Sequence, residues 1–145
     1  MYLDSAIIVK LLVREHDSEF FNTALSGQVL DSSDLCLAEV CSALLSKERA
    51  GSITVPERQR AIVRFEEMVA DEELRLFPLD ARTLQRARAI LEACHPKAAL
   101  RTLDALHVAT CDLHRCGALC TTDNRMRSAA AQIALKLFPV NVEEK

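Results

Sequence analysis

The 145-residue chain has only three glycines, no tryptophan and six aromatic residues. Gly27, Gly51 and Gly117 are too scattered to build a glycine-rich phosphate cradle, and neither G-x-G-x-x-G nor G-x-x-x-x-G-K-[ST] occurs. There is no G-x-S-x-G turn to expose a nucleophilic serine. So few aromatics speak against a base-stacking platform. Nothing approaches the roughly 18 apolar residues of a membrane helix. Asp4, Lys10 and Arg14 interrupt the apolar N-terminus, against a secretory signal. A cytoplasmic, reducing setting is therefore expected. The six cysteines contain no C-x-x-C pair and read as free thiols rather than a redox dithiol or zinc ribbon. Bulk positive charge is missing as well: 18 basic against 21 acidic residues give a net charge of −3. A protein that gripped nucleic acid by bulk charge alone would be basic, so contact with RNA or DNA requires a local basic patch or a metal.

What is present is the composition of a globular protein, 50% hydrophobic and 27% charged, with the length of one domain, taken as residues 1–145. Short apolar runs alternate with helical periods. Strands are expected at Met1–Asp4, Gln28–Leu30, Leu74–Leu79, Ala118–Thr122 and Lys136–Val140. Helices are expected from a Ser5 cap to about Arg14, from Asp17 to Leu25, from a Ser33 or Asp34 cap to about Ala50, from Pro56 to about Glu73, from an Asp80 cap to near His95, from a Thr102 cap to Cys116 and from Asn124 to Leu135. Gly51 and Gly117 are read as stops, and Leu37, Ala38, Cys41, Leu44 and Leu45 as the apolar stripe of the third helix. Strands alternating with helices imply an α/β fold, a parallel sheet covered on both faces, with its site outside the carboxyl ends of the strands.

Four acids fall near that edge. Asp4 and Asp123 each follow a strand, Asp104 lies in the first turn of a helix, and Glu39 lies in the second turn of another, roughly opposite its apolar stripe on the helical wheel. Singly, each reads as a cap, a turn or a solvated residue. Together they change the argument, because four carboxylates brought into one crevice repel unless a cation joins them. That repulsion is expected to raise the pKa of at least one. Oxygen ligands in an open site suit Mg²⁺ or Mn²⁺, which polarises a phosphate and generates hydroxide.

The residues around these acids carry a resemblance. They are Tyr2-Leu3-Asp4-Ser5 with Val9-Lys10-Leu11, Leu37-Ala38-Glu39-Val40 with Ser42-Ala43-Leu44, Arg101-Thr102-Leu103-Asp104-Ala105-Leu106-His107, and Thr121-Thr122-Asp123-Asn124-Arg125. In this order, over nearly the whole chain, they resemble PIN-domain ribonucleases, most closely the VapC-type toxins of bacterial toxin–antitoxin pairs. The resemblance implies a three-layer α/β/α sandwich, Mg²⁺ or Mn²⁺, endonucleolytic cleavage of RNA, a homodimer and a cognate antitoxin lying across the acidic crevice. It places Asp4, Glu39, Asp104 and Asp123 in the metal site, with Ser5 and Thr121 as supporting hydroxyls. Ala6 departs from the pattern, where many relatives carry a second small polar residue.

His107, Cys111 and His114 share a helix face with Asp104, but all lie on one helix, and a closed zinc site needs a ligand from elsewhere. His107 is read instead as orienting Asp104 or touching substrate. Lys10, Arg82, Arg86, Arg101 and Arg125 are the candidate phosphate contacts, Lys10 and Arg125 foremost because each closely follows a metal acid. Two other classes compete with a nuclease. A non-catalytic PIN-like scaffold or RNA-binding module would have little use for four intact acids. A phosphorylated receiver domain would pair a second acid with the first strand end, where Asp4 has none.

Overall fold

The computed structural model describes residues 1–140; residues 141–145 of the expected domain lie outside the described residues. The strands are β1 (Tyr2–Leu3), β2 (Leu30–Ser33), β3 (Leu74–Phe77), β4 (Leu119–Cys120) and β5 (Leu137–Phe138). The helices are α1 (Ser5–Leu12), α2 (Ser18–Leu25), α3 (Leu35–Arg49), α4 (Val55–Ala70), α5 (Ala81–Cys94), α6 (Thr102–Leu113) and α7 (Asn124–Gln132). All pairings are parallel, in the order β3-β2-β1-β4-β5. The expected three-layer α/β/α architecture follows from strand periodicity. Tyr2 and Leu3 are both fully buried but point to opposite faces. Tyr2 joins the core under α5, α6 and α7, and Leu3 joins the core under α1, α2, α3 and α4. β1 and β4 are neighbours at the centre of the order, so Asp4 and Asp123, which follow them, emerge at one edge.

Several boundaries move, each for a physical reason. The second strand is Leu30–Ser33, not Gln28–Leu30. Asp-Ser-Ser looks like a turn or a cap, yet tertiary partners pay for its burial. Arg75 reaches Asp31 at 2.7 Å and the N-terminal ammonium stands 3.8 Å away. The Ser32 hydroxyl donates to the Leu3 carbonyl at 2.9 Å. The caps of two helices also shift by one residue. Asp4, not Ser5, caps α1, accepting from the Ile7 amide at 2.8 Å. Arg101, not Thr102, is the N-cap residue of α6, and its amide donates to Asp104 at 3.2 Å.

Gly51 does end α3, adopting φ +71° with Gly51 N–H bonded to Glu48 and Ser52 N–H to Lys47. After α6 the left-handed turn falls first on Arg115 (φ +51°), two residues before Gly117, which is itself left-handed (φ +67°). The helix therefore stops at Leu113, and the Cys116 amide closes back on Cys111. The buried side of α3 is Cys36, Val40 and Leu44, which leaves Leu37 50% exposed and Leu45 and Cys41 outside. Two apolar faces overlap on this helix, and packing against α1 and α4 selects the one that the wheel alone did not. That choice places Glu39 beside the buried stripe rather than opposite it.

Candidate active site

Asp4, Ser5, Glu39, Asp104, His107 and Asp123 line one cleft of about 390 Å³, together with Ala6, Thr122 and Met126. The four acids thus come from four places in the chain, joined by the order of the strands. A slightly larger hollow of about 450 Å³ lies between α2 and α4, but its only charged pair, Arg64 and Glu73, is closed on itself at 2.5 Å. No set of acids converges there.

Each carboxylate has a local reason for its pose. Asp4 is buried; one oxygen caps α1 and the other accepts the Thr121 hydroxyl. Thr121 in turn accepts from the Asp123 amide at 3.0 Å, tying the β4 end to the β1 end. Asp123 caps α7, with Oδ1 accepting from the Arg125 and Met126 amides at 2.8 and 3.1 Å. Asp104 accepts the Arg101 amide on Oδ2. Oε2 of Glu39 accepts from the Ser5 hydroxyl at 2.6 Å and from Nε2 of His107 at 2.7 Å. Oδ2 of Asp123, Oδ1 of Asp104 and Oε1 of Glu39 meet no hydrogen-bond donor among the described residues.

The electrostatics divide the four. Burial pushes the Asp4 carboxyl above the ordinary range, and the charge of Asp123 adds a smaller push; Thr121, the Ile7 amide and His107 only partly offset this. The expected upward shift is there, but desolvation is its main cause, not crowding of the acids. For Glu39 burial also pushes upward, yet hydrogen bonds from His107 and Ser5 prevail and hold the carboxyl below its usual value.

Other readings are corrected by contacts. His107 does not orient Asp104; its ring holds Glu39. Cys111 is buried in the core and His114 stacks on Phe77, ring centroids 3.8 Å apart. Lys10 is no free phosphate contact. Its ammonium is locked to Asp17 at 2.6 Å and Glu15 at 3.2 Å, and Lys47 joins the cluster through Glu15 at 2.7 Å. Arg86 is paired with Asp112 at 2.7 Å. Arg82 and Arg101 are exposed and Arg125 is half-buried, so these three remain as candidates. One participant went unread in the sequence. Tyr2 meets His107 behind Glu39, and its signal was strand periodicity, which puts residue 2 on the same face as Asp4.

The PIN domain family model matches residues 1–132. Ribonuclease VapC46 of Mycobacterium tuberculosis (strain ATCC 25618 / H37Rv) is 38% identical over 144 residues, covering 95% of each chain. The crystal structure of FitAcB from Neisseria gonorrhoeae superposes with a TM-score of 0.70 at 16% identity, over 94% of this chain and 95% of that one, and so shares the fold. With the family model spanning all four acids and the full-length relative agreeing, this chain belongs to the PIN-domain family.

Proposed function

We propose that this protein is a Mg²⁺- or Mn²⁺-dependent endoribonuclease acting as the toxin of a VapBC-type toxin–antitoxin pair. The observation that carries the reading is the convergence of Asp4, Glu39, Asp104 and Asp123 on one cleft. The ribonuclease activity named for the 38%-identical relative supports the reaction class.

The donor set fits a hard divalent cation. The four acids offer only carboxylate oxygens, and three of them keep an oxygen without a hydrogen-bond donor. Among the described residues no three His, Cys, Asp or Glu side chains stand close enough to enclose an ion. An open site of this kind suits Mg²⁺, which keeps several waters and takes one or two carboxylates. When bound, the cation supplies phosphate polarisation and a hydroxide at neutral pH. The chain does the rest. Thr121 and the Ile7 amide of α1 hold Asp4; Ser5 and His107 hold Glu39; the Arg125 and Met126 amides of α7 hold Asp123. Arg82 and Arg101, both exposed, and Arg125, half-buried, are the cations proposed to receive the RNA backbone.

An antitoxin and a second copy of the chain are the proposed protein partners. No helix among the described residues is long and apolar enough to cross a membrane, and the six thiols are free, in keeping with a proposed cytoplasmic location.

The test is incubation of purified protein with mixed single-stranded RNA in chelator, in Mg²⁺ and in Mn²⁺, with sequencing of the new ends. Internal cleavage that requires metal and is lost in Asp104→Asn is the expected result. Well-folded protein that binds RNA but yields no metal-dependent product identifies a scaffold and overturns the nuclease reading.

A further inference from the structure

Tyr2 is the only tyrosine of the chain and is fully buried at the centre of the sheet. A buried phenol needs a hydrogen-bond partner, and this one lies 2.9 Å from Nδ1 of His107. The two rings meet edge to face, with centroids 5.8 Å apart and planes at 69°. Across the imidazole, Nε2 stands 2.7 Å from Oε2 of Glu39. The chain of contacts runs from strand β1 through helix α6 to helix α3, joining residues 2, 107 and 39.

The hydrogen positions follow from chemistry. A neutral imidazole has one N–H and one lone pair. At 2.7 Å from a carboxylate oxygen, Nε2 must carry the hydrogen, because two lone pairs would repel. Nδ1 is then an acceptor, and the phenol must donate to it. A phenol already carries its proton at neutral pH, and burial acts in the same direction. In the imidazolium form Nδ1–H would donate to the phenol oxygen, and Nε2–H would still face Glu39. The link to Glu39 is therefore the same for either charge of the ring. The neighbouring Ser33 hydroxyl is fully buried and meets no partner in hydrogen-bond geometry, which leaves Nδ1 as the partner of the phenol.

We propose that Tyr2 is a positioning residue of the active site: its hydroxyl fixes His107 in the orientation whose Nε2–H holds Oε2 of Glu39, leaving Oε1 for the cation. The inference rests on the reading of Glu39 as a metal-site carboxylate. Glu is a long side chain with three soft torsions, and a lone carboxylate on it would lose that freedom on binding a cation. Ser5 and His107 together settle Oε2 before any ion arrives. Partners that orient a ligand from behind typically change metal affinity or activity about 10–100-fold when removed.

The experiment begins with ¹⁵N-labelled, metal-free wild type, whose imidazole nitrogen–proton correlations report the tautomer of His107. The Nε2–H form is expected; a neutral Nδ1–H form overturns the proposal without any variant. Tyr2→Phe keeps the ring and its packing while removing the hydroxyl. It should leave the Nε2–H tautomer in place but free the ring at Nδ1, and raise the Mn²⁺ dissociation constant about tenfold, read by titration of Mn²⁺ alone. In a His107→Gln background, Tyr2→Phe should have no further effect on Mn²⁺ affinity, because Tyr2 acts only through the imidazole. An additive effect would mark Tyr2 as merely structural and overturn the proposal. Glu39→Gln separates the two levels. If it leaves Mn²⁺ affinity intact, the metal-site reading falls and this proposal with it. If it weakens Mn²⁺ binding while Tyr2→Phe does not, the positioning role alone is refuted.

Discussion

Asp123 has two separable duties, and two substitutions at this position tell them apart. Its Oδ1 caps α7 by accepting two amides, while Oδ2 is open toward the cleft. Asn caps a helix about as well as Asp, whereas Ala removes the cap at a cost of about 1 kcal/mol. With an unfolding entropy of about 2.1 cal/mol/K per residue, this chain should have roughly 0.3 kcal/mol/K in total. Loss of the cap then lowers the melting temperature by about 3 °C. In chelator, Asp123→Asn is therefore expected to melt within a degree or so of wild type, or above it, because a negative charge near buried Asp4 is gone. Asp123→Ala should melt about 3 °C lower. Metal changes the comparison. At ten times its dissociation constant, a cation bound only to the folded state adds about 1.4 kcal/mol, or roughly 5 °C, to wild type. Asp123→Asn should lose most of that increment, and most RNA cleavage with it. The assay is a set of melting curves in chelator and in Mg²⁺, run beside cleavage of a labelled RNA. The reasoning is refuted if Asn drops the metal-free melting temperature by several degrees while Mg²⁺ leaves wild type unmoved. Asp123 would then be a cap and nothing more.

Asp4→Asn and Asp104→Asn should each abolish cleavage with the circular dichroism of wild type retained, since Asn keeps the shape but gives up a charged oxygen; ordinary turnover in either removes that acid from the site. Lys10→Met should cost about 1 kcal/mol of stability through the lost ion pairs, yet leave cleavage and its salt dependence unchanged, because the ammonium is committed to Asp17 and Glu15; a marked loss of RNA affinity would restore Lys10 as a phosphate contact. Burial opposes ionisation of Glu15 and Asp17, but their lysine partners prevail and hold both carboxyls below the usual range. Their contribution to stability is thus full above the unfolded pKa values near 4 and is lost as pH falls through the lower folded values. Wild type should lose more stability than Lys10→Met over that acid window, measured by urea unfolding at stepped pH. Gentle purification from the native host should recover a small second protein in complex with this chain; a lone monomer under those conditions counts against the toxin reading while leaving the nuclease intact.

The alternation of strand and helix, the parallel sheet and three of the four acids were legible because they rest on local rules. Asp4 and Asp123 sit where a strand gives way to a helix, and Asp104 in the first turn of one, so each serves as a local amide acceptor. Glu39 was found from its neighbours in sequence, but its place beside the buried stripe was not, since α3 presents two apolar faces and only packing on α1 chooses between them.

The sequence by itself determined what each segment does within a few residues: where chains turn, which acids stand at helix starts, and the absence of bulk charge or glycine-rich loops. Tertiary structure alone decided what happens between distant segments. Asp31-Ser32-Ser33 became part of an interior strand because the N-terminal ammonium and Arg75 came to meet Asp31 and Ser32 found the Leu3 carbonyl. Lys10 was withdrawn from the cleft by acids on the loop that follows its own helix and at the start of the next. Tyr2 reached His107, 105 positions away, because β1 lies in mid-sheet and α6 packs on the face that Tyr2 shares with Asp4. Local propensity acts over one or two turns of chain, whereas these contacts depend on which strand lies beside which, a choice made only when both faces of the sheet are buried together.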